Sequence, residues 1–413
     1  MPGKDARPMR VAVVGGGIAG LSAAVELLVR GHEPVVLESA LRPGGKVASV
    51  REGPWLSEDG PNFIADPMDA LLGHAGLESA VVDALPPKTR WLWREGKLQR
   101  APSMGLLRTL GAPRALCEPL FSRPASARES LREFLVRRLG AKAGGLLATL
   151  LASGVYAGDA SRLSATAAFP SLSQGLVLFR KPKARRIWSL RAGLGSLPAA
   201  LAARLGERVR LGVRVDRLDP LPSGWSIAGE RFDGAILALP ASAAARVVSR
   251  LAEPLQQLRA ASVSVVHLGF KERAIPRGFG VLDASASLRF LGALLPSSML
   301  PGRAPQGAAL VTAICGGAKR PAVASLPDTE LVAAVREDLG RAFGRLDEPL
   351  YTRIVRYEEG IPQYEIGHED RIRAVRAALR ELPRLELAGA AYDGVSVPDA
   401  ARSGTLAAAR LLR

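Results

Sequence analysis

Cysteine and histidine are scarce in this sequence. Its 413 residues include two cysteines, Cys117 and Cys315, and four scattered histidines. Two cysteines cannot build a disulfide framework, and no two histidines have the spacing of metal ligands on one helix. The composition therefore argues against a disulfide-stabilised secreted domain and against a metal site. A reducing compartment, and hence a cytoplasmic location, is expected.

Long apolar runs are also lacking. No stretch of 18 residues is free of charged residues, glycine and proline, so no transmembrane span is expected. Glycines interrupt the first apolar segment at once, which is unlike a signal peptide. Residues 143–157 are apolar but short, which favours a helix that is buried or that dips into a surface.

Aromatic residues make up only 5% of the sequence, whereas its net charge is +17. Basic proteins attract nucleic acid, anionic membrane surfaces or anionic substrates. The one dense basic run, RKPKARR at 180–186, has no nucleic-acid motif beside it, and few aromatics are available for base stacking. Nucleic acid is therefore not an expected partner. A solvated loop and a peripheral contact with the inner face of the cell membrane both remain open for this run.

Hydrophobic residues form 48% of the chain, and its length exceeds that of one ordinary domain. The pattern predicts an α/β protein. The predicted strands are Val11–Val14, Val35–Glu38, Val209–Val215, Ile236–Leu239, Val263–Phe270, Ala309–Ile314 and Leu385–Ala388. The predicted helices are Leu21–Arg30, Asp328–Phe343 and Ser403–Leu412, the last beginning at a Ser403 cap.

The first strand and helix enclose a G-x-G-x-x-G motif at Gly15, Gly17 and Gly20. Gly15 permits a tight turn, Gly17 lets the backbone approach a pyrophosphate, and Gly20 lets the helix pack closely on the strand. The helix N-terminus, at Ile18 and Ala19, offers N–H donors to the phosphates. Glu38 ends the second strand, where a carboxylate can bind ribose hydroxyls. The pattern predicts a dinucleotide cofactor.

The chain continues with Arg42, Gly44, Gly45 and Lys46, which resemble the R-x-G-G-[RK] signature of the flavin amine oxidase superfamily. Gly60, Pro61 and Asn62 resemble the next signature, and the segment from Leu387 to Ala408 resembles the late flavin motif. The resemblance implies non-covalently bound FAD. Its remaining implied contacts are with Val215, Gly389, Val395 and Val397.

The segment SGVYAGDASRLS, from Ser153 to Ser164, resembles the protoporphyrinogen oxidase family almost residue for residue. Further similar segments are Ser189–Leu201, Leu291–Gly307 and Gly360–His368. The resemblance implies oxidation of protoporphyrinogen IX to protoporphyrin IX in haem biosynthesis, with oxygen as acceptor and hydrogen peroxide as by-product. It also implies direct hydride transfer to flavin N5 without a catalytic side chain.

Substrate contacts follow from the same resemblance. Arg90 matches an arginine that pairs with a propionate, and Gly154 matches a glycine whose carbonyl accepts a pyrrole N–H. Leu282, Leu294 and Ile314 match residues that pack against the macrocycle, although core packing alone would also explain three apolar strand residues.

The implied fold is a Rossmann-like FAD-binding domain with a mixed-sheet substrate domain and a helical insertion. We assign 9–86, 206–252 and 383–413 to the FAD-binding domain, and 169–205 and 253–382 to the substrate domain. Residues 87–168 form the membrane-associating helical insertion. A homodimer and a contact with a ferrochelatase are partner arrangements that the resemblance leaves open.

Three alternatives remain open at this point. Coproporphyrinogen III, with four propionates, is an alternative substrate. An amine oxidase or a carotenoid desaturase is an alternative enzyme, although no paired aromatic cage is evident around Tyr392. A silent flavoprotein paralogue that serves as a binding module is the alternative outside enzymes.

Overall fold

The computed structural model describes residues 7–86, 89–101, 123–170 and 186–413. Its strands are β1 Arg10–Val14, β2 Glu33–Glu38, β3 Ser49–Glu52, β4 Trp55–Glu58, β5 Val81–Asp83, β6 Arg90–Arg94, β7 Lys97–Ala101, β8 Trp188–Leu190, β9 Val209–Leu211, β10 Leu218–Leu221, β11 Gly224–Ile227, β12 Glu230–Phe232, β13 Gly234–Leu237, β14 Ala260–Lys271, β15 Gly280–Asp283, β16 Phe290–Leu294, β17 Ala308–Gly316, β18 Tyr351–Pro362 and β19 Leu385–Leu387. Its α-helices are α1 Ile18–Val29, α2 Asp69–Ala75, α3 Leu131–Leu139, α4 Ala141–Leu151, α5 Ala165–Ala168, α6 Ser196–Leu205, α7 Ala241–Val247, α8 Ala252–Gln256, α9 Pro296–Met299, α10 Pro321–Ala324, α11 Asp328–Phe343, α12 His368–Arg380 and α13 Val397–Leu411.

A five-stranded parallel sheet forms the first layer, in the order β19-β13-β1-β2-β9. Its strands come from the three chain segments that the sequence assigns to the FAD-binding domain. After Arg10, β1 is apolar because one of its faces packs on α1 and α13 and the other packs on α7 and the β10-β11-β12 meander. The predicted α/β class with a Rossmann-like unit is confirmed.

Helices α1 and α13 cross at contact distance because Gly404 has no side chain. A Cβ on Gly404 would stand 1.9 Å from the carbonyl oxygen of Ala19. The chain's last helix is thereby fixed against its first one, which carries the glycine motif.

Replacing Gly404 with alanine is expected to lower the free energy of unfolding by about 1–3 kcal/mol, the usual cost of overpacking. The overlap is with helix backbone, which cannot rotate away. Urea denaturation of the apoprotein measures the change. Gly340→Ala in α11 is the matched control, because a Cβ there meets no described atom within 4 Å. Equal unfolding midpoints for both variants would show that the crossing tolerates a methyl group.

A seven-stranded mixed sheet forms the second layer, in the order β18-β14-β17-β16-β15-β6-β7. Its neighbouring strands are antiparallel except β15 and β6, which run parallel. One face packs on α11 through Leu331, Val335 and Leu339. The opposite face is the one relevant to the candidate site.

Several predicted boundaries differ from the structure. Helix α13 begins at Val397 rather than at Ser403, and its N-cap is Ser396, whose hydroxyl accepts a hydrogen bond from the Asp399 N–H at 3.1 Å. The hydroxyl of Ser403 instead accepts a hydrogen bond from the N–H of Gly389 at 2.9 Å. The strand predicted over Val209–Val215 ends at Leu211, because Gly212 adopts a positive φ of 71° and turns the chain.

Two of the domain boundaries predicted from the sequence differ from the contacts in the structure. β6 and β7, placed by sequence in the helical insertion, are hydrogen-bonded into the seven-stranded sheet. Residues 188–205, placed in the substrate domain, bury Leu190, Leu197 and Leu201 in the core beside α1. The helical part of the insertion within the described residues therefore begins after residue 123. Of the basic run at 180–186, all but Arg186 lies outside the described residues.

The described part of the insertion contains α3, α4, a single π-helical turn at Ala152–Tyr156, and α5. Helix α3 begins with a reciprocal capping box between Ser130 and Glu133. Among the described residues, none of the helices combines the length and apolar character that crossing a bilayer requires.

Candidate functional site

The glycine motif forms a turn between β1 and α1 that only glycine can build. Gly15 has a φ of 106°, and a Cβ there would lie 2.5 Å from the carbonyl oxygen of Ala238. A Cβ on Gly20 would lie 1.9 Å from the Gly15 carbonyl oxygen. Gly17, by contrast, is the N-cap of α1, and a Cβ there meets no described atom within 4 Å. The space beside Gly17 is thus open at the N-terminus of a helix, where a phosphate is favoured.

Glu38 lies beside this turn, as predicted. Its Oε2 accepts a hydrogen bond from the Gly16 N–H at 2.6 Å, and its Oε1 accepts one from the Ala40 N–H at 2.8 Å. The backbone carbonyl of Glu38 holds the segment that carries Val215, through the N–H of Val213 at 2.8 Å. Val215 is half-buried at the edge of the sheet core. Ile18 and Ala19 are buried at the start of α1.

The second glycine pair packs directly on the first turn. The Gly44 N–H donates to the Gly16 carbonyl at 2.8 Å, and Gly44 forms a β-bridge with Gly17. Gly44 and Gly45 both have positive φ, 108° and 57°. The two glycine-rich segments therefore line one side of the same open space.

The side chains of Arg42 and Lys46 both form polar contacts within the protein. Arg42 donates to the Gly45 carbonyl at 3.3 Å and lies 3.7 Å from the Asp59 carboxylate. The Lys46 ammonium donates to the carbonyl oxygens of Glu359 and Gly360, and burial lowers its pKa. Lys46 thus joins the cofactor segment to β18, and direct contact between its ammonium and a flavin stays a prediction.

The segment Gly60–Asn62 holds an unsatisfied polar atom. Asn62 is 4% exposed, and its Nδ2 donates to the Gly60 carbonyl at 3.1 Å. Its Oδ1 is buried without a hydrogen-bond partner among the described residues. Pro61 lies between them, half-buried. Because a buried acceptor without a donor is costly, this amide is suited to bind a ligand N–H.

The late motif completes this side of the site. Gly389 has a φ of 126°, and a Cβ there meets no described atom within 4 Å. The turn then leads through Val395 to Val397, the first residue of α13. The open spaces beside Gly17 and Gly389, together with the free Asn62 Oδ1, fit a bound flavin nucleotide. When bound, such a group would accept two electrons from a substrate.

The site face of the seven-stranded sheet is apolar at its centre. In the strand register Leu282, Gly292 and Ile314 lie opposite one another, and Leu294 is two residues beyond Gly292 on the same face. Gly154 of the π-helical turn lies above this row, where a Cβ would stand 3.7 Å from Leu282. The structure thus brings the predicted macrocycle-contacting residues together.

Arg90 lies at one end of the same face. Its guanidinium carbon is 5.4 Å from the centre of the Phe279 ring. Phe279 packs edge-on against Phe63, with ring centres 4.7 Å apart. Because Phe63 directly follows Asn62, these two rings connect the cofactor segment to Arg90. Sequence reasoning missed both phenylalanines, which carry no motif.

The opposite end of the face is closed by the β3-β4 hairpin, which also escaped sequence reasoning. The indole of Trp55 packs against Gly269, where a Cβ would stand 2.4 Å from the ring. The guanidinium of Arg353, on β18, contacts Asp59 at 2.9 Å. The hairpin therefore anchors the start of the Gly60–Asn62 segment to the seven-stranded sheet.

A buried ion pair supports the same hairpin from its other side. Arg303 and Glu58 are each 1% exposed, with Nη2 3.1 Å from Oε1. Glu58 also accepts hydrogen bonds from the Ser49 hydroxyl and from the Leu194 N–H. Burial raises the pKa of Glu58 to about 7, although the Arg303 guanidinium opposes that increase.

Glu58 is expected to make folding stability depend on pH. Its folded pKa of about 7 lies above the ordinary value of 4.5, so the folded state holds the proton more tightly than the unfolded state does. Its contribution to the free energy of unfolding is therefore fully present at low pH and is lost between about pH 4.5 and 7, by on the order of 3 kcal/mol. Urea denaturation at several pH values should show a shallower pH dependence for Glu58→Gln. Parallel curves for the two proteins would contradict this account.

The family model for flavin containing amine oxidoreductases matches residues 18–412. The chain belongs to this family. The match covers the seven-stranded sheet, four of the five strands of the parallel sheet, and the second glycine segment. A flavin is therefore the group that the open cradle accepts.

Curated relatives refine the comparison. Human protoporphyrinogen oxidase is 31% identical and aligns over 97% of this chain and 98% of its own length. Coproporphyrinogen III oxidase of Bacillus subtilis (strain 168) is 29% identical, with 96% of each chain covered. A crystal structure from Exiguobacterium sp. 255-15 has 26% identity and a TM-score of 0.84, covering 98% of this chain and 99% of that one. The predicted resemblance to protoporphyrinogen oxidases is confirmed.

Proposed function

We propose that this protein oxidises protoporphyrinogen IX to protoporphyrin IX, with FAD bound non-covalently and oxygen as the electron acceptor, releasing hydrogen peroxide. The FAD adenosine half would lie along Glu38 and Val215. The pyrophosphate would lie at Gly17, Gly44 and Gly45. The flavin ring would lie between Asn62 and Gly389.

The chain's own contribution is to bind and orient the substrate. Leu282 and Ile314 offer an apolar surface to a flat macrocycle, and Gly154 offers a backbone carbonyl to a pyrrole N–H. No acid or base is present in this central row, and forming the aromatic product supplies a large driving force. Position relative to the flavin is therefore the main requirement, as expected when catalysis depends on orientation.

The distribution of cations on the site face supports protoporphyrinogen in particular. Arg90 forms no ion pair with any described residue, whereas Arg353 at the opposite end is paired with Asp59 and Glu52. One available guanidinium at one end suits a substrate whose two propionates lie together on one edge. A substrate with four propionates around its rim would place some of them on the apolar row.

Coproporphyrinogen III is the second candidate, because the Bacillus subtilis coproporphyrinogen III oxidase matches over 96% of both chains. Comparing kcat/KM of the purified protein for the two porphyrinogens separates them. We expect protoporphyrinogen IX to be preferred by at least about tenfold, because unpaired carboxylates on an apolar surface are costly. The reverse preference would assign the protein to coproporphyrinogen, and oxidation of neither would leave only a flavoprotein.

A further inference from the structure

Two consecutive residues follow β18, Gln363 and Tyr364. Their side chains contact different segments of the molecule. Gln363 is 5% exposed, and its Nε2 donates to the carbonyl oxygens of Tyr156 at 2.7 Å and Ile361 at 3.0 Å. Tyr364 is also 5% exposed. Its hydroxyl contacts a different part of the molecule, the turn that precedes α13.

The Gln363 side chain holds the π-helical turn Ala152–Tyr156. Tyr156 is the last residue of the π-helical turn that carries Gly154. This turn ends at Ala157, whose φ of 48° is unusual for a residue with a side chain. The amide of Gln363 is thus bonded to the carbonyl immediately before the strained residue, two residues after Gly154.

The Tyr364 side chain holds the turn between Gly389 and Val397. Its hydroxyl donates to the Ala390 carbonyl at 2.8 Å and accepts from the Gly394 N–H at 2.7 Å. These two bonds span most of the turn between Gly389 and Val397. Gly394 has a φ of 123°, and a Cβ there would overlap Asp399, so the turn is built tightly around the hydroxyl.

The phenol ring is itself fixed by aromatic packing. His368 stacks on Tyr364 with ring centres 3.8 Å apart and planes 16° from parallel. The ring of Tyr156 also packs near Tyr364, with the centres of the two rings 5.7 Å apart. The Tyr364 hydroxyl therefore has a fixed position relative to both the π-helical turn and the flavin turn.

We propose that Gln363 and Tyr364 form a positioning pair that sets the spacing between the substrate-facing Gly154 and the flavin-facing turn at Gly389–Val397. The pair rests on the proposed function in that Gly154 faces the macrocycle. Neither residue touches the reacting atoms. Each acts through the backbone segment that it holds, and the adjacency of the two residues makes the two segments move together.

Tyr364→Phe tests the flavin half. It removes one hydroxyl and both of its bonds while keeping the ring stack, so the fold is retained. FAD affinity is expected to fall about tenfold, the equivalent of losing one to two buried hydrogen bonds. The visible absorption and circular dichroism of the bound flavin are expected to shift as well. Titration of apoprotein with FAD and the Tm increment that FAD produces measure the loss.

Ser264→Ala is the control, because it also deletes a buried hydroxyl that donates to a carbonyl, that of Ala324 at 2.7 Å, between β14 and α10. It should leave FAD affinity and the flavin spectrum unchanged. If Tyr364→Phe matches this control in affinity, spectrum and Tm increment, Tyr364 is only a core residue and the proposal fails.

Gln363→Met tests the substrate half, since it keeps the side-chain length and removes the donors. Affinity for protoporphyrin IX, titrated by its absorption, should fall about fivefold, as one lost buried hydrogen bond allows, with FAD affinity unchanged. Unchanged porphyrin affinity would overturn this half. If the unmodified protein binds FAD but not protoporphyrin IX, the proposed function fails, and the Tyr364 result alone still decides the flavin half.

Discussion

Gly17→Val is expected to give a folded protein that binds no FAD. The residue is extended, with φ −71° and ψ 177°, and a Cβ there meets no described atom within 4 Å, so the apoprotein has room for valine. The added side chain would fill the space through which the backbone approaches the pyrophosphate. An overlap that costs at least about 3 kcal/mol weakens binding by at least about a hundredfold, which is enough for the protein to be isolated without flavin. Absorption of the purified protein, before and after FAD is supplied, measures the effect.

Gly340→Val is the control for this change, because it adds the same side chain at another open glycine, far from the cradle. It should retain the yellow colour. A flavin-loaded Gly17→Val protein would show that the pyrophosphate does not pass this turn. Loss of folding is the result expected at Gly20 instead, where a Cβ would overlap the Gly15 carbonyl oxygen.

Arg90→Ala is expected to raise KM for protoporphyrinogen IX between about tenfold and a hundredfold with little change in kcat, because a charge-assisted bond contributes about 1.5–3 kcal/mol. In the proposed function the guanidinium binds the propionate edge, remote from the methylene bridges that are oxidised. An interaction made equally in the bound substrate and in the transition state changes KM rather than kcat. Steady-state kinetics at saturating oxygen measure both constants.

Arg100→Ala provides the matched comparison on the same hairpin. Arg100 is exposed and pairs in register with Trp91, whose side chain lies on the opposite face of the sheet from Arg90. Its removal should leave KM unchanged. An equal rise in KM for both variants would indicate a general effect of positive charge, and no rise for Arg90→Ala would remove Arg90 from the site.

The nucleotide cradle could be predicted from sequence because its determinants are local. Gly15, Gly17 and Gly20 act within one turn, and Glu38 ends the adjacent strand, so spacing alone places them. Leu282 and Leu294 were expected to be apolar strand residues, although no strand was predicted around either position. Their shared face with Ile314 depends on strand register, and only the resemblance to known oxidases suggested it.

The supporting contacts could not be predicted because they join residues that are distant along the chain. Glu58 pairs with Arg303, and Tyr364 binds the turn at Ala390 and Gly394. No local pattern marks either partner in a chain with many arginines. The same reason explains why β6 and β7 were misplaced. β6 pairs with β15, which follows almost two hundred residues later, and β7 joins the sheet through β6.

In the proposed function, the seven-stranded sheet presents a porphyrinogen to a flavin held by the two glycine-rich segments and the Gly389 turn. Anaerobic addition of protoporphyrinogen IX to the purified protein, followed by absorption spectroscopy, tests it most directly. We expect the visible flavin bands to bleach in step with the consumption of porphyrinogen and to return when oxygen is admitted. A colourless protein that takes up no flavin, or a flavin whose bands persist in the presence of porphyrinogen, would contradict it.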